Sequence, residues 1–147
     1  MVWYTYFMNM HEIHFEGKIA QKVIIEQDKK ILLVQDPREK NDIWELPGGR
    51  MNIDEDPREA VQREFVEEMG VGINVGQVVH MEQFIQGNEG KRAFVIVYDA
   101  KLSDGEAVFD IDKREVSEVK WFSKEEVATL KLYPEYTRAI EVYFQNK

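Results

Sequence analysis

Three glutamates, Glu64, Glu67 and Glu68, stand at i, i+3 and i+4 of one short acidic stretch. On a helix that spacing brings all three carboxylates to one face, with neighbouring Cβ atoms about 5–6 Å apart. Like charges so placed oppose the helix: two carboxylates about 4 Å apart repel by roughly 4 kcal/mol at an effective dielectric near 20. A divalent cation reverses the sign of that interaction, because hard ions such as Mg²⁺ take oxygen ligands. The preceding loop, Leu46-Pro47-Gly48-Gly49-Arg50, adds backbone freedom beside the carboxylates. Metal-held carboxylates next to a glycine turn suggest chemistry on phosphates. There a bound ion polarises a phosphoryl oxygen and lowers the pKa of a bound water. Such cleavage is mostly positioning and charge neutralisation, so no protein nucleophile is needed.

A helix must carry these residues. Pro57 suits a first helical position, and Asp56 before it can cap the free amides. Val61, Phe65 and Met69 recur at i, i+4 and i+8 as an apolar stripe, and Gly70 is the stop signal. The stripe lies beside the carboxylate arc, so one face can pack on a sheet while the next presents the glutamates. Residues Lys18–Glu26 and Ile31–Gln35 read as strands of a hairpin around a turn at Asp28-Lys29-Lys30. Asp36–Asp42 reads as a loop, and Ile43–Leu46 as a short apolar segment. Val71–Gln86 and Ala93–Tyr98 read as strands around a turn at Gly87–Gly90, and Val116–Phe122 as a further strand. Ser123 with Glu126 fits a capping box, and Tyr133–Phe144 reads as a last helix. No regular alternation of strand and helix appears. The expected fold is α+β: an α/β/α sandwich around a mixed sheet.

The chain has 147 residues, enough for one domain with a real core. Its formal net charge of −9 argues against a nucleic-acid backbone as main partner. The same charge would repel an anionic substrate unless a metal neutralised the carboxylates locally. Cysteine is absent, which excludes disulfides, thiolate catalysis and cysteine-bound zinc. No apolar run reaches the length of a membrane span. Met1–Met8 is aromatic but lacks a basic region and a small-residue cleavage site, so it is read as an initial strand or packing arm rather than a signal peptide. A base-binding or dimer contact is the alternative there. The expected setting is cytoplasmic.

The stretch Gly49 to Val71 resembles the Nudix box. That family's pattern is Gly, five residues, Glu, seven residues, Arg-Glu, an apolar residue, any residue, Glu-Glu, any residue, Gly and an apolar residue. Gly49, Glu55, Arg63-Glu64, Phe65, Val66, Glu67-Glu68, Met69, Gly70 and Val71 match it at every fixed position. The box covers only the middle of the chain, and residues Trp44 to Gly48 before it are similar to the family less specifically. The resemblance implies a Nudix fold, with the box as loop-helix-loop, over a single domain spanning 1–147. It implies hydrolysis of a nucleoside diphosphate linked to another moiety, with Mg²⁺ or Mn²⁺ as cofactor. Carried over, Glu64, Glu67 and Glu68 become metal ligands, with the Gly48 carbonyl a further one. Glu55 and Arg63 orient the cluster, and Glu64 or Glu67 helps deprotonate the attacking water. In some members a later carboxylate is base or ligand, for which Asp110, Asp112, Glu115 and Glu118 are the candidates.

Other residues are weighed against simpler roles. Arg50 is either a phosphate contact or merely exposed. Trp44 is put forward as a substrate contact, although for Trp44, Phe84 and Tyr98 packing outweighs base stacking, and Trp121 is read as core. His11, His14 and His80 lack a ligand pattern. The partner expected is a small nucleotide, with neither nucleic acid nor membrane, and a homodimer is left open. Some subfamilies carry a downstream proline or tyrosine marking ADP-ribose or dinucleoside polyphosphate specificity, and Gln83–Arg92 contains neither. That leaves nucleoside triphosphates, including oxidised ones, ahead of ADP-ribose and nucleotide sugars. A nucleotide-sensing domain without activity is the reading from a different class, and a thiol-based isomerase is excluded.

Overall fold

The computed structural model describes residues 14–86 and 90–147. The aromatic stretch Met1–Met8, His11 and all of the Gly87–Gly90 turn but Gly90 lie outside the described residues. In chain order the elements are β1 (Lys18–Gln27), β2 (Lys30–Gln35), β3 (Gly48–Arg50), α1 (Pro57–Met69), β4 (Ile73–Gln86), β5 (Lys91–Leu102), β6 (Glu118–Ser123), α2 (Lys124–Val127) and α3 (Pro134–Gln145).

The sheet runs β4-β5-β1-β2-β6, with β3 also paired to β1. β1 and β5 run parallel, and the other pairs are antiparallel. The β1–β2 turn places Asp28 and Lys29 at φ 51° and 62°, the two left-handed positions of a tight hairpin whose twist suits the strands. β1 is forked on one edge. Its first half pairs with β3, Ala20 to Lys22 against Arg50 to Gly48, and its end pairs with β2.

Strand alternation assigns the two faces. Val23, Ile25, Leu32 and Val34 pack with Val61, Phe65 and Met69 of α1. Ile24, Ile31 and Leu33 point the other way, toward Tyr136, Ala139 and Ile140 of α3. The sheet is therefore buried on both sides, giving the expected sandwich. Each such side chain contributes roughly 1.5–3 kcal/mol through burial.

Helix α1 begins and ends where its residues direct. The Asp56 carboxylate accepts from the Arg58 and Glu59 amides, Pro57 opens the helix, and Gly70 closes it at φ 70° with its amide on the Val66 carbonyl. Two readings need correction. Gly48–Arg50 is a strand rather than a free turn, because its backbone completes the β1 ladder. Val116 precedes β6 and is buried in the connection. Ile43–Leu46 supplies two isolated bridges, Val34 to Glu45 and Trp44 to Leu132. Among the described residues no helix is long and apolar enough to cross a membrane.

Candidate active site

The two glycines of β3 have different tasks. Gly48 lies opposite Lys22 with φ 132°, and a side chain there would run into the Gln21 carbonyl. A Cβ on Gly49 would come within 2.5 Å of the Glu64 carboxylate. That obstacle is the far end of a flexible side chain, so an alanine would displace the carboxylate rather than the fold. Gly49→Ala is expected to lower kcat/KM by about tenfold or more with the melting temperature nearly unchanged, since small misplacements of reacting groups are amplified in rate. Steady-state kinetics beside thermal melting checks this; wild-type kinetics would mean that Glu64 has no fixed position to keep.

Arg63 is the shared cation of the carboxylate face. Its Nη2 lies 3.1 Å from Glu55 Oε2, and its Nε donates to the other Glu55 oxygen. Its Nη1 reaches both Glu67 oxygens, at 3.2 and 3.1 Å, and stands 3.2 Å from Glu64 Oε1. Glu55 also accepts from the Asn52 amide at 2.9 Å, and the Arg63 bond holds its carboxyl below the usual carboxylate range. These contacts bring Glu55, Arg63, Glu64 and Glu67 together.

Glu68 differs from its neighbours because it is only 8% exposed. Burial pushes its carboxyl up to about 8, although Lys22 and the Gly48 amide draw it down. That amide is 3.4 Å from Glu68 Oε2. Glu64, half-buried, is also raised, by burial against the pull of Arg63. Lys22, which drew no notice in the sequence, lies beneath this face. Its Nζ donates to the Gly48 carbonyl at 3.3 Å and to Glu45 Oε1 at 3.4 Å, and stands 5.5 Å from the centre of the Tyr136 ring. Burial lowers its pKa, but Glu45, Tyr136 and Glu68 together outweigh that and hold it above the usual lysine range.

Among the described residues, no three carboxylates or imidazoles already converge on one point. Arg63 occupies the space among Glu55, Glu64 and Glu67. The donor chemistry still fits a hard divalent cation: an all-oxygen set of carboxylates and a backbone carbonyl, including a buried carboxylate with too little positive charge beside it.

Two cavities meet at this face. One of about 420 Å³ is lined by Glu64, Glu67, Glu68, Asp112, Arg114 and Glu115. Of the four later carboxylates, Asp112 and Glu115 thus reach the box glutamates, whereas Asp110 and Glu118 line neither cavity. Asp112 is held by Arg114 at 3.0 and 2.9 Å, which keeps its carboxyl low.

The larger cleft, of about 1170 Å³, starts at Gly48, Gly49, Glu64 and Glu68 and reaches Phe84, Ala93 and Tyr133. Register explains its floor. Lys18, Ala93 and Phe84 form one row across the sheet, and Arg50, Ala20 and Val95 form the next. The alanines leave a hollow that the larger side chains bound. Lys18 and Arg50 both line it and make no ion pair with another described residue. Trp44, put forward as a substrate contact, does not line the cleft. Its ring packs edge-on against Phe122 at 4.7 Å, and its amide bonds the Lys131 carbonyl. Tyr98 is buried under α1, with the Arg58 guanidinium 5.0 Å from its ring. Phe84 packs against the core cluster of Ile24, Val95 and Tyr136, as expected, and also lines the cleft.

A sequence model of the NUDIX domain matches residues 18–143. The CTP pyrophosphohydrolase of Escherichia coli K12 is 44% identical over 62 residues, 41% of this chain and 46% of that protein. A MutT-like protein of Streptomyces ambofaciens is 29% identical over 119 residues, covering 81% of this chain and 68% of the relative. The match to the CTP pyrophosphohydrolase therefore spans less than half of that relative's length. Among solved structures, a NUDIX hydrolase from Nitrosomonas europaea superposes with a TM-score of 0.78 at 22% identity, covering 90% of this chain and 91% of that one. The E. coli ORF135 protein superposes with a TM-score of 0.74 at 28% identity, covering 89% and 91%.

Proposed function

This chain belongs to the Nudix hydrolase family, and on that premise we propose that it cleaves a phosphoanhydride bond in a nucleoside triphosphate by attack of water, with Mg²⁺ or Mn²⁺. The observation that carries this reading is one continuous cleft. Its lining combines the carboxylates Glu64 and Glu68 and the Gly48 strand with the cations Lys18 and Arg50 and the rings of Phe84 and Tyr133. Those are complements of a phosphate chain and of a flat base. The CTP pyrophosphohydrolase among the relatives favours a triphosphate. The likeness to a UDP-X diphosphatase, at 21% identity, speaks for the fold alone and lends nucleotide sugars no weight.

Glu64, Glu67, Glu68 and the Gly48 carbonyl would hold the cation. When bound, it supplies charge neutralisation on the phosphates and lowers the pKa of a coordinated water. The protein's own groups do the rest. Arg63 fixes Glu67 and Glu64 in register through its grip on Glu55. Glu67 or Glu64 takes the proton from the attacking water. Lys18 and Arg50 neutralise phosphate oxygens beyond the acidic end. Lys22 keeps the buried side of the cluster close to neutral.

A panel of nucleotides tested with Mg²⁺ and Mn²⁺ checks the reading through released phosphate or pyrophosphate. No release from any of them would sink it, in favour of a nucleotide-binding domain without activity.

Glu68 makes metal binding depend on pH. A metal needs the carboxylate, so below a pKa of about 8 the ion must expel a proton. Affinity should rise with pH up to that value, by at most about tenfold per unit, and then level off. Calorimetric titration of Mg²⁺ or Mn²⁺ in buffers of different ionisation enthalpy should show proton release at pH 7 and almost none at pH 9. Equal release at both would remove Glu68 from the donor set.

A further inference from the structure

Among the described residues four polar side chains are buried: Gln21, Lys22, Glu68 and Glu135. Lys22 and Glu68 belong to the acidic end of the cleft, and Gln21 lies under the sheet beside Gly49. Glu135 has no place in the mechanism above. It is the second residue of α3, is 7% exposed, lines the large cleft, and makes no hydrogen bond or ion pair with another described residue.

Its neighbours do not satisfy it. Arg138, one turn along α3, is committed to Glu82 through a double contact at 2.9 and 2.8 Å, and His80 also bonds Glu82. Lys22 is engaged by Glu45 and the Gly48 carbonyl. Glu135 does sit in the first turn of a helix, where a negative charge is favourable, and α3 has no side-chain cap. An exposed carboxylate would serve that purpose equally well. Burial disfavours the charged form and pushes the Glu135 carboxyl up, against the pull of its own amide and of Arg138, a penalty that the helix terminus alone does not require.

The cleft supplies the missing context. Phe84, Ala93 and Ala20 share one face of the sheet as the floor of the cleft, and Tyr133, Pro134 and Tyr136 line its wall beside Glu135. A planar ring that stacks in this slot presents its edge to the wall. A carboxylate there accepts from N–H groups and repels ring-edge carbonyls.

We propose that Glu135 is a specificity-determining residue that accepts from the exocyclic amine of a nucleobase, selecting cytosine or guanine over the oxo-substituted uracil or hypoxanthine. This rests on the nucleotide reading above for its ligand class. The distinction is built from chemistry that a glutamine would not keep. Its amide carries a donor and an acceptor and can turn to match either an amino or an oxo edge.

The test is equilibrium binding of nucleoside monophosphates, which needs no turnover. CMP is compared with UMP, and GMP with IMP, by calorimetry on the full chain and on Glu135→Gln. The wild type should favour the amino member of at least one pair by about tenfold or more, and Glu135→Gln should bring that ratio to within about threefold, the range expected when a hydrogen bond to a charged group is lost. Phe84→Ala should weaken both members alike and leave the ratio intact, because stacking does not distinguish the edges. Equal affinities in both pairs for the wild type, or an unchanged ratio in Glu135→Gln, would overturn the proposal. Selective binding by a protein that cleaves no triphosphate would uphold this role for Glu135 while refuting hydrolysis. Triphosphate cleavage with equal affinities for both pairs would do the reverse.

Discussion

Glu67→Gln is expected to lower kcat by about a thousandfold, within the range that loss of a positioned general base or a charge-stabilising group produces. The fold should hardly register the change. The Glu67 side chain is 57% exposed, and its contacts are the two from Arg63, which retains Glu55 and Glu64. An exposed i, i+4 pair of this kind contributes only about 0.3–0.5 kcal/mol. The effect should therefore appear in turnover and not in the melting temperature. The reason lies in geometry: Glu67 faces the smaller cavity with Glu64, Glu68, Asp112 and Glu115, at the open side of the cluster where water can reach it. A glutamine keeps the shape but neither carries the charge nor accepts a proton. Wild-type turnover in a folded Glu67→Gln protein would move the base elsewhere, with Asp112 and Glu115 the next to test.

Lys22→Met should have the largest effect on stability. The ammonium is 7% exposed on its side chain and is flanked by Glu45, Glu68 and the Gly48 carbonyl. Removing one member of a buried pair leaves the other charge uncompensated, at about 3 kcal/mol or more. For a domain of this size that corresponds to a fall of about 6–12 °C in melting temperature. The loss should be partly recovered in the double variant Lys22→Met, Glu45→Gln, because the carboxylate left without its partner is then gone. Thermal melting of the two single variants and the double one measures the coupling. Additive effects would show that Lys22 and Glu45 do not sense each other.

The legible part of the molecule was the part governed by local rules. Asp56, Pro57 and Gly70 bracket α1 because caps and stop signals act within a turn, and Val61, Phe65 and Met69 disclosed its packed face. Ser123 and Glu126 form the capping box that their spacing suggested, although the helix they open is a single turn. What stayed hidden depends on partners distant in sequence. Gly48–Arg50 looks like a turn until β1 is laid beside it. Lys22 is one residue of a β-prone run, and α3, from the far end of the chain, brings Tyr136 over it. A possible signal was its place just before the apolar run Val23-Ile24-Ile25, where a strand is covered on both faces. Glu135 was passed over for a similar reason: an acid after a helix-opening proline is ordinary until its burial is seen. Trp44, for which packing outweighs base stacking, packs edge-on against Phe122 beside its bridge to Leu132.

The most direct measurement of the central claim is a time course of pyrophosphate and phosphate release from a nucleoside triphosphate panel. Wild type and Glu67→Gln are run side by side, each with and without Mg²⁺ or Mn²⁺. The expected result is metal-dependent release by the wild type from at least one triphosphate and almost none by the variant. No release by folded wild-type protein from any nucleotide, or equal release by both proteins, would contradict the account.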